Sequence, residues 1–158
     1  MGLKTKGECV TACRDQALLS SLANKTVSGS HGSRRQDWKR KKAANCGYCV
    51  PCLFRRASLH VANLDSGKDY GFDVCADELT ADSDRSSADD LRALASALRH
   101  FESDVQIRRG IASVACVQPI DDYVSLVQRG LAEVRSWIAE TGSSRLRKTT
   151  GVGDGKHA

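Results

Sequence analysis

This sequence predicts a mainly α protein of four or five helices, with a metal-binding knuckle between the first two. Three observations carry the prediction. Apolar residues recur at helical spacing in several segments. Cys46, Cys49 and Cys52 form a C-x-x-C-x-x-C run. Stretches rich in Gly and Ser, or in Asp and Glu, separate the periodic segments.

The first helix is expected over residues 6–23. Thr5-Lys6-Gly7-Glu8 fits a capping box, with the Thr hydroxyl accepting from the backbone at Glu8 and the Glu carboxylate reaching back to the cap. Val10, Cys13, Ala17, Leu18 and Leu22 supply its buried stripe, and Gly7 weakens its first turn. Residues 24–45 read as a loop, because Ser28-Gly29-Ser30-His31-Gly32-Ser33 has nothing to pack. A connection of about 20 residues is long for a compact domain and points to a function or to disorder. Cys46-Gly47-Tyr48-Cys49 reads as a tight turn, with Gly47 relieving the backbone. Pro51 suits the first turn of a second helix over residues 50–62, where Leu53, Phe54, Ala57 and Val61 face inward.

Residues 63–87 form an acidic break, with nine Asp/Glu against two Lys/Arg between Asp65 and Asp90. Phe72, Val74 and Cys75 add a short extended piece. Ser87-x-x-Asp90 marks the next helix start, and Leu91, Leu94, Leu98 and Phe101 follow at helical spacing. Ile107, Ile111 and Val114 carry a further helical pattern that ends before Pro119. The last helix is expected over residues 121–140. Asp121 and Asp122 suit its positive end, Tyr123, Val127, Leu131, Val134 and Ile138 form its stripe, and Gly142 offers a stop. Residues 143–158 are basic and Gly-rich and are expected to be disordered. The chain thus divides into a metal-binding region 1–62, an acidic connector 63–87, a helical region 88–142 and a tail 143–158.

The net charge of +5 conceals an uneven distribution. Residues 1–60 hold twelve Lys/Arg and three Asp/Glu, a net of +9; residues 61–158 hold twelve and sixteen, a net of −4. The basic run Arg34, Arg35, Trp38, Lys39, Arg40, Lys41 and Lys42 suits a nucleic-acid backbone, with Trp38 stacking on a base. Asp65, Asp69, Asp73, Asp77 and Asp82 lack the residue order of a calcium loop and read as a solvated connector. No stretch approaches the roughly 18 apolar residues of a membrane span. No apolar run of a secretory signal follows Met1-Gly2-Leu3-Lys4.

Seven cysteines, an odd number with three crowded together, suit a metal better than a disulfide framework and imply a reducing, cytoplasmic setting. Zn2+ takes four ligands in a tetrahedron, and three thiols at this spacing converge on one side of a turn. The following helix N-terminus, with Arg55 and Arg56, favours thiolates. An iron–sulfur cluster would call for a fourth nearby cysteine, which the run lacks. His31 is the favoured fourth ligand. His60, Cys75 and an open, water-bound position are the alternatives. Cys9 and Cys13 share a helix face and read as small core residues.

Lys4-Thr5-Lys6-Gly7-Glu8, Thr26-Val27-Ser28-Gly29-Ser30-His31 and Cys46-Gly47-Tyr48-Cys49-Val50-Pro51-Cys52-Leu53-Phe54-Arg55-Arg56 resemble the end of QueC-type proteins. Within that family they look most like the QueC-like QatC component of the Qat anti-phage system. The resemblance covers residues 3–60. It implies the helical carboxy-terminal portion of an α/β ATP-pyrophosphatase-like protein. It also implies the chemistry of 7-cyano-7-deazaguanine synthases of queuosine biosynthesis, in which ATP activates a carboxylate and ammonia supplies nitrogen. Zinc in that family is held by four cysteines and is structural, and Cys46, Cys49 and Cys52 match three of them. Gly29 stands where the family has its other ligand cysteine, so His31 is the expected substitute.

The family's ATP loop, S-G-G-x-D-S, is absent from this sequence. Neither residues 28–33 nor Gly151-Val152-Gly153-Asp154-Gly155 reproduces it, and neither is flanked by the strand and helix that present backbone N–H groups to phosphates. The expectation is a truncated or split enzyme, inactive alone, whose ATP-binding half belongs to a separate chain. The alternative is a small zinc-stabilised nucleic-acid-binding module using residues 34–42.

Overall fold

The computed structural model describes residues 3–113 and 119–153. Among these residues lie seven α-helices: α1 (Lys6–Thr11), α2 (Gln16–Ala23), α3 (Val50–His60), α4 (Asp89–His100), α5 (Asp104–Ala112), α6 (Ile120–Thr141) and α7 (Ser144–Thr150). Short 3-10 turns occupy Gly32–Asp37, Gly67–Asp69, Val74–Ala76 and Ser86–Ala88. An isolated parallel bridge between Asn45 and Tyr70 is the only β pairing among the described residues. The mainly α expectation therefore holds for them.

The helix expected over residues 6–23 is two helices. The Thr5–Glu8 capping box forms in both directions, with Glu8 N donating to Thr5 Oγ1 at 3.0 Å and Thr5 N donating to Glu8 Oε2 at 2.8 Å. The chain then breaks after Thr11. The Gln16 side-chain amide folds back onto the Val10 and Cys13 carbonyls, each at 3.0 Å, and satisfies acceptors that the end of α1 leaves open. Asp15 starts α2 by accepting from Leu18 N at 2.8 Å. Local side-chain bonds thus outcompete a continuous helix. In consequence Ala17, Leu18 and Leu22 are exposed, where a buried stripe was expected.

The other elements pack around α6, which contacts α1, α3, α5 and α7. Val134, Trp137 and Ile138 of α6 are fully buried against Leu53 and Ala57 of α3, while α4 adds Leu91, Leu94 and Leu98 to the same core. Trp137 lies outside the expected stripe yet is its largest buried member. The expected disorder of residues 143–158 is corrected through Gly153. Ser143 Oγ caps α7 by accepting from Leu146 N at 3.0 Å, and Leu146, Thr150 and Val152 are buried. Two apolar residues in a basic segment are enough to dock it when a hydrophobic groove awaits them. Val114, Cys116 and residues 154–158 lie outside the described residues.

Residues 63–87 are not a solvated connector either. Asp65 and Asp73 hold the guanidinium of Arg56, which is 2% exposed, at 3.1 and 2.8 Å. The same guanidinium lies 5.0 Å from the Tyr70 ring centroid and 4.9 Å from that of Trp137. Trp137 Nε1 donates to Asp65 Oδ2 at 3.2 Å. A buried cation needs this degree of pairing, because its desolvation alone costs several kcal/mol. Glu78 pairs with Lys39 and Arg40, each at 2.7 Å, and Asp82 pairs with Arg145. Acids that look idle in the sequence join distant parts of the chain.

Candidate metal centre

Cys49 caps the N-terminus of α3 and Cys52 lies in its first turn. Cys46 precedes them across a turn that requires glycine. Gly47 has φ +86°, and a Cβ there would sit 2.2 Å from the Phe72 carbonyl oxygen. The turn is held against the next segment by Gly71 N donating to Asn45 O at 2.8 Å and Phe72 N donating to Cys46 O at 2.9 Å. All three cysteines are completely buried and are free thiols.

The sulfurs converge. Cys46 Sγ and Cys52 Sγ are 3.6 Å apart, and Cys49 N donates to Cys46 Sγ at 3.4 Å. Ligand atoms of His31, Cys46 and Cys49 all lie within 4.8 Å of one another. A tetrahedron with metal–sulfur bonds near ~2.3 Å has edges of about 3.7 Å, close to the sulfur spacing here.

His31 reaches this cluster because the segment before it is pinned. Asn45 Nδ2 donates to Thr26 O at 2.9 Å, and Asn45 Oδ1 accepts from Ser28 N at 2.8 Å. Arg55 of α3 donates to Ser28 Oγ at 2.8 Å, to Thr26 Oγ1 at 2.6 Å and to the Ala23 carbonyl. The His31 ring then stacks on Tyr48, with centroids 5.2 Å apart. Its Nδ1 is buried without a hydrogen-bond partner, while Nε2 lies 3.9 Å from Asp90 Oδ2 on α4. A buried ring nitrogen with no partner, on a histidine whose ring groups with the Cys46 and Cys49 sulfurs, is a donor free to meet a metal ion. The donor set fits a divalent ion that accepts sulfur and nitrogen.

The protonation chemistry agrees. The neighbouring Cys46 and Cys52 thiols pull the pKa of Cys49 below the ordinary thiol value. The same pairing pushes Cys46 up. Packing the thiols together thus favours the ionised form at Cys49, the form in which a thiol binds metal.

His31, Cys46, Cys49 and Cys52 can thus bind one metal ion. The alternative fourth ligands do not join them. His60 Nε2 lies 3.0 Å from Glu140 Oε2, and Cys75 Sγ lies 3.5 Å from Thr141 Oγ1, both toward the C-terminal end of α6. The charge of Arg56 is taken up by Asp65 and Asp73, whereas Arg55 bonds only neutral oxygens of residues 23–28. Asn45 and Tyr48 are beside the cysteines in the chain, whereas Asp90 carries no sequence signal that links it to them, and folding alone brings it there.

The basic run behaves differently from expectation. Trp38 is 2% exposed and lies under Gly71, so it belongs to the core and cannot stack on a base. Lys39 and Arg40 are paired with Glu78, and Arg34 donates to Ser86 Oγ at 3.1 Å. Lys41 and Lys42 are exposed. No helix among the described residues is long and apolar enough to cross a membrane. Comparison with protein-family models, with curated proteins and with solved structures finds no match to this chain.

Proposed function

We propose that His31, Cys46, Cys49 and Cys52 hold a structural zinc ion, and that the chain is the zinc-binding module of a QueC-like, ATP-dependent enzyme of the QatC kind. The observation that carries the metal reading is the grouping of the His31 ring, whose Nδ1 has no partner, with the buried Cys46 and Cys49 sulfurs, and of Cys52 Sγ 3.6 Å from Cys46 Sγ. Burial favours a structural role over a catalytic one. A catalytic zinc keeps an open position for water, whereas here histidine supplies a fourth ligand and the sulfurs have no solvent exposure. The ion fixes the segment 26–31 against the start of α3, which otherwise rests on Asn45 and Arg55 alone.

Gly29 supports the family reading. A Cβ at this position would lie 3.3 Å from Cys52 Sγ, so the residue that replaces the family's ligand cysteine sits at the metal site. Catalysis needs an ATP loop from outside these residues, because S-G-G-x-D-S is missing from them.

Elemental analysis of the purified chain tests the metal. One zinc per chain is expected, and Co2+ substitution should give the intense visible bands and the thiolate charge-transfer absorption of a tetrahedral site. A protein that carries no stoichiometric metal, and whose knuckle thiols all react freely with a thiol reagent while it is folded, overturns the reading. The enzyme part is tested separately by sequencing the neighbouring reading frame. A segment with S-G-G-x-D-S is expected there, and its absence removes the enzyme while leaving the metal site untouched.

A further inference from the structure

We propose that the trough between α1, α2 and the C-terminal half of α3 is a docking site for an acidic amphipathic helix of another polypeptide. The trough has a volume of about 620 Å³ and is lined by Cys9, Val10, Leu18, Leu19, Leu22 and Val27, with Leu59 of α3 on its floor. Three of the five large hydrophobic side chains exposed among the described residues lie on it: Leu18 at 54%, Leu22 at 41% and Val27 at 67%. Only Ala23 of α2 is buried. A helix that presents its leucines to an open trough leaves apolar surface in water, which marks an interaction site when the residues are contiguous.

Charge decides between occupants. Lys4 and Lys6 line the trough and are exposed, and Arg14 and Lys25 flank α2 at its two ends. None of the four makes an ion pair among the described residues. Of the acids nearby, Glu8 pairs with Arg129 at 2.6 Å, and Asp15, which caps α2 and lines the trough, is outnumbered there by Lys4, Lys6 and Arg55. A second copy of this chain would set one net positive trough against another, with Asp15 as its only lining acid. A partner helix with apolar residues at i, i+3, i+4 and i+7, flanked by Asp or Glu, satisfies both features. The trough is concave, with Leu59 only 6% exposed at its floor, so inserted side chains fill it where a flat lipid surface would span it. Its exposed rim also leaves one side open, unlike the enclosed pockets that bury most of a small ligand.

The inference is independent of the zinc reading, and its test uses the full chain as purified. Two synthetic helices of about 20 residues share one Leu face, and one carries Glu and the other Lys beside it. Fluorescence anisotropy titrations at low salt are expected to show the Glu peptide binding at least about tenfold tighter than the Lys peptide. The double variant Leu18→Ser/Leu22→Ser, whose side chains are exposed, should keep its circular dichroism and lose at least about tenfold in affinity for the Glu peptide. Lys4→Glu/Lys6→Glu should reverse the preference, and Val105→Ser, at an exposed site on α5, should change nothing. Absence of peptide binding, or equal binding that survives Leu18→Ser/Leu22→Ser, overturns the proposal. So does a dimer in sedimentation, or binding to phosphatidylserine vesicles in place of the peptide, that the same double variant abolishes.

Discussion

Gly29 faces Cys52 across a gap that a side chain would close: a Cβ on Gly29 would lie 3.3 Å from Cys52 Sγ and 3.7 Å from Cys46 N. A thiol there would reach into the sulfur cluster. The backbone at Gly29 is not in the left-handed region, so the substitution needs only a slight shift of the Cys52 sulfur. His31→Ala is expected to weaken zinc binding, and Gly29→Cys in the same chain is expected to restore it. Competition titrations with a chromophoric chelator measure both. A Gly29→Cys/His31→Ala chain that binds no better than His31→Ala removes Gly29 from the site.

Asp90 should matter less than the ligands themselves. It lies 3.9 Å from His31 Nε2, close enough to act on the imidazole by charge and too far to hydrogen-bond it. Asp90→Asn is expected to lower zinc affinity by about tenfold, the smaller end of effects seen for such supporting residues. Cys49→Ser, which removes the thiolate at the cap of α3, should cost more than either His31→Ala or Asp90→Asn.

Chelation should be felt beyond the knuckle. Cys46, Cys49 and Cys52 belong to the same core as Trp38, Leu53 and Trp137. Structural zinc contributes on the order of 10 kcal/mol in small units, comparable to the whole stability of a domain. Treatment with EDTA is expected to abolish cooperative melting and most helical circular dichroism, with recovery on adding Zn2+. Helical signal that survives chelation with an unchanged Tm would show that the core stands without the ion.

Arg56 tests the buried charge network. Burial works against its charge, and Asp65 and Asp73 more than offset that, so the guanidinium is held protonated. Arg56→Met leaves two carboxylates facing the core and is expected to destabilise the protein by about 3–5 kcal/mol. Adding Asp65→Asn and Asp73→Asn should recover part of that loss, since neutral amides no longer need a cation. Urea denaturation reads the series.

Glu78 makes the fold acid-sensitive. Hydrogen bonds from Arg40, set against partial burial and joined by Lys39, pull its carboxyl down from an ordinary 4.5 to about 2. A depressed carboxyl stabilises the folded state above the unfolded value, and the benefit fades as pH falls from 4.5 toward 2. Glu78→Gln is therefore expected to be less stable than wild type near neutral pH, with the gap closing as pH falls below 4.5. Parallel denaturation curves in excess zinc follow the difference, because loss of metal affects both chains alike.

The sequence by itself determined the helical class, the capping box at Thr5, the knuckle turn at Gly47 and three of the four donors. Each is a local matter, set by the spacing of a few neighbouring residues and the torsion angles they permit. Periodicity also found Leu91, Leu94 and Leu98, because one face of a long helix repeats along the chain. Only the tertiary structure decided that His31, and neither His60 nor Cys75, meets the thiols, since that choice depends on Asn45 and Arg55 holding a segment some twenty residues away. It decided likewise that Trp38 is core, that Arg56 is buried between Asp65 and Asp73, and that Leu18 and Leu22 line an open trough. Residue type states what a side chain can do, but burial and partnership depend on which distant segments fold against it.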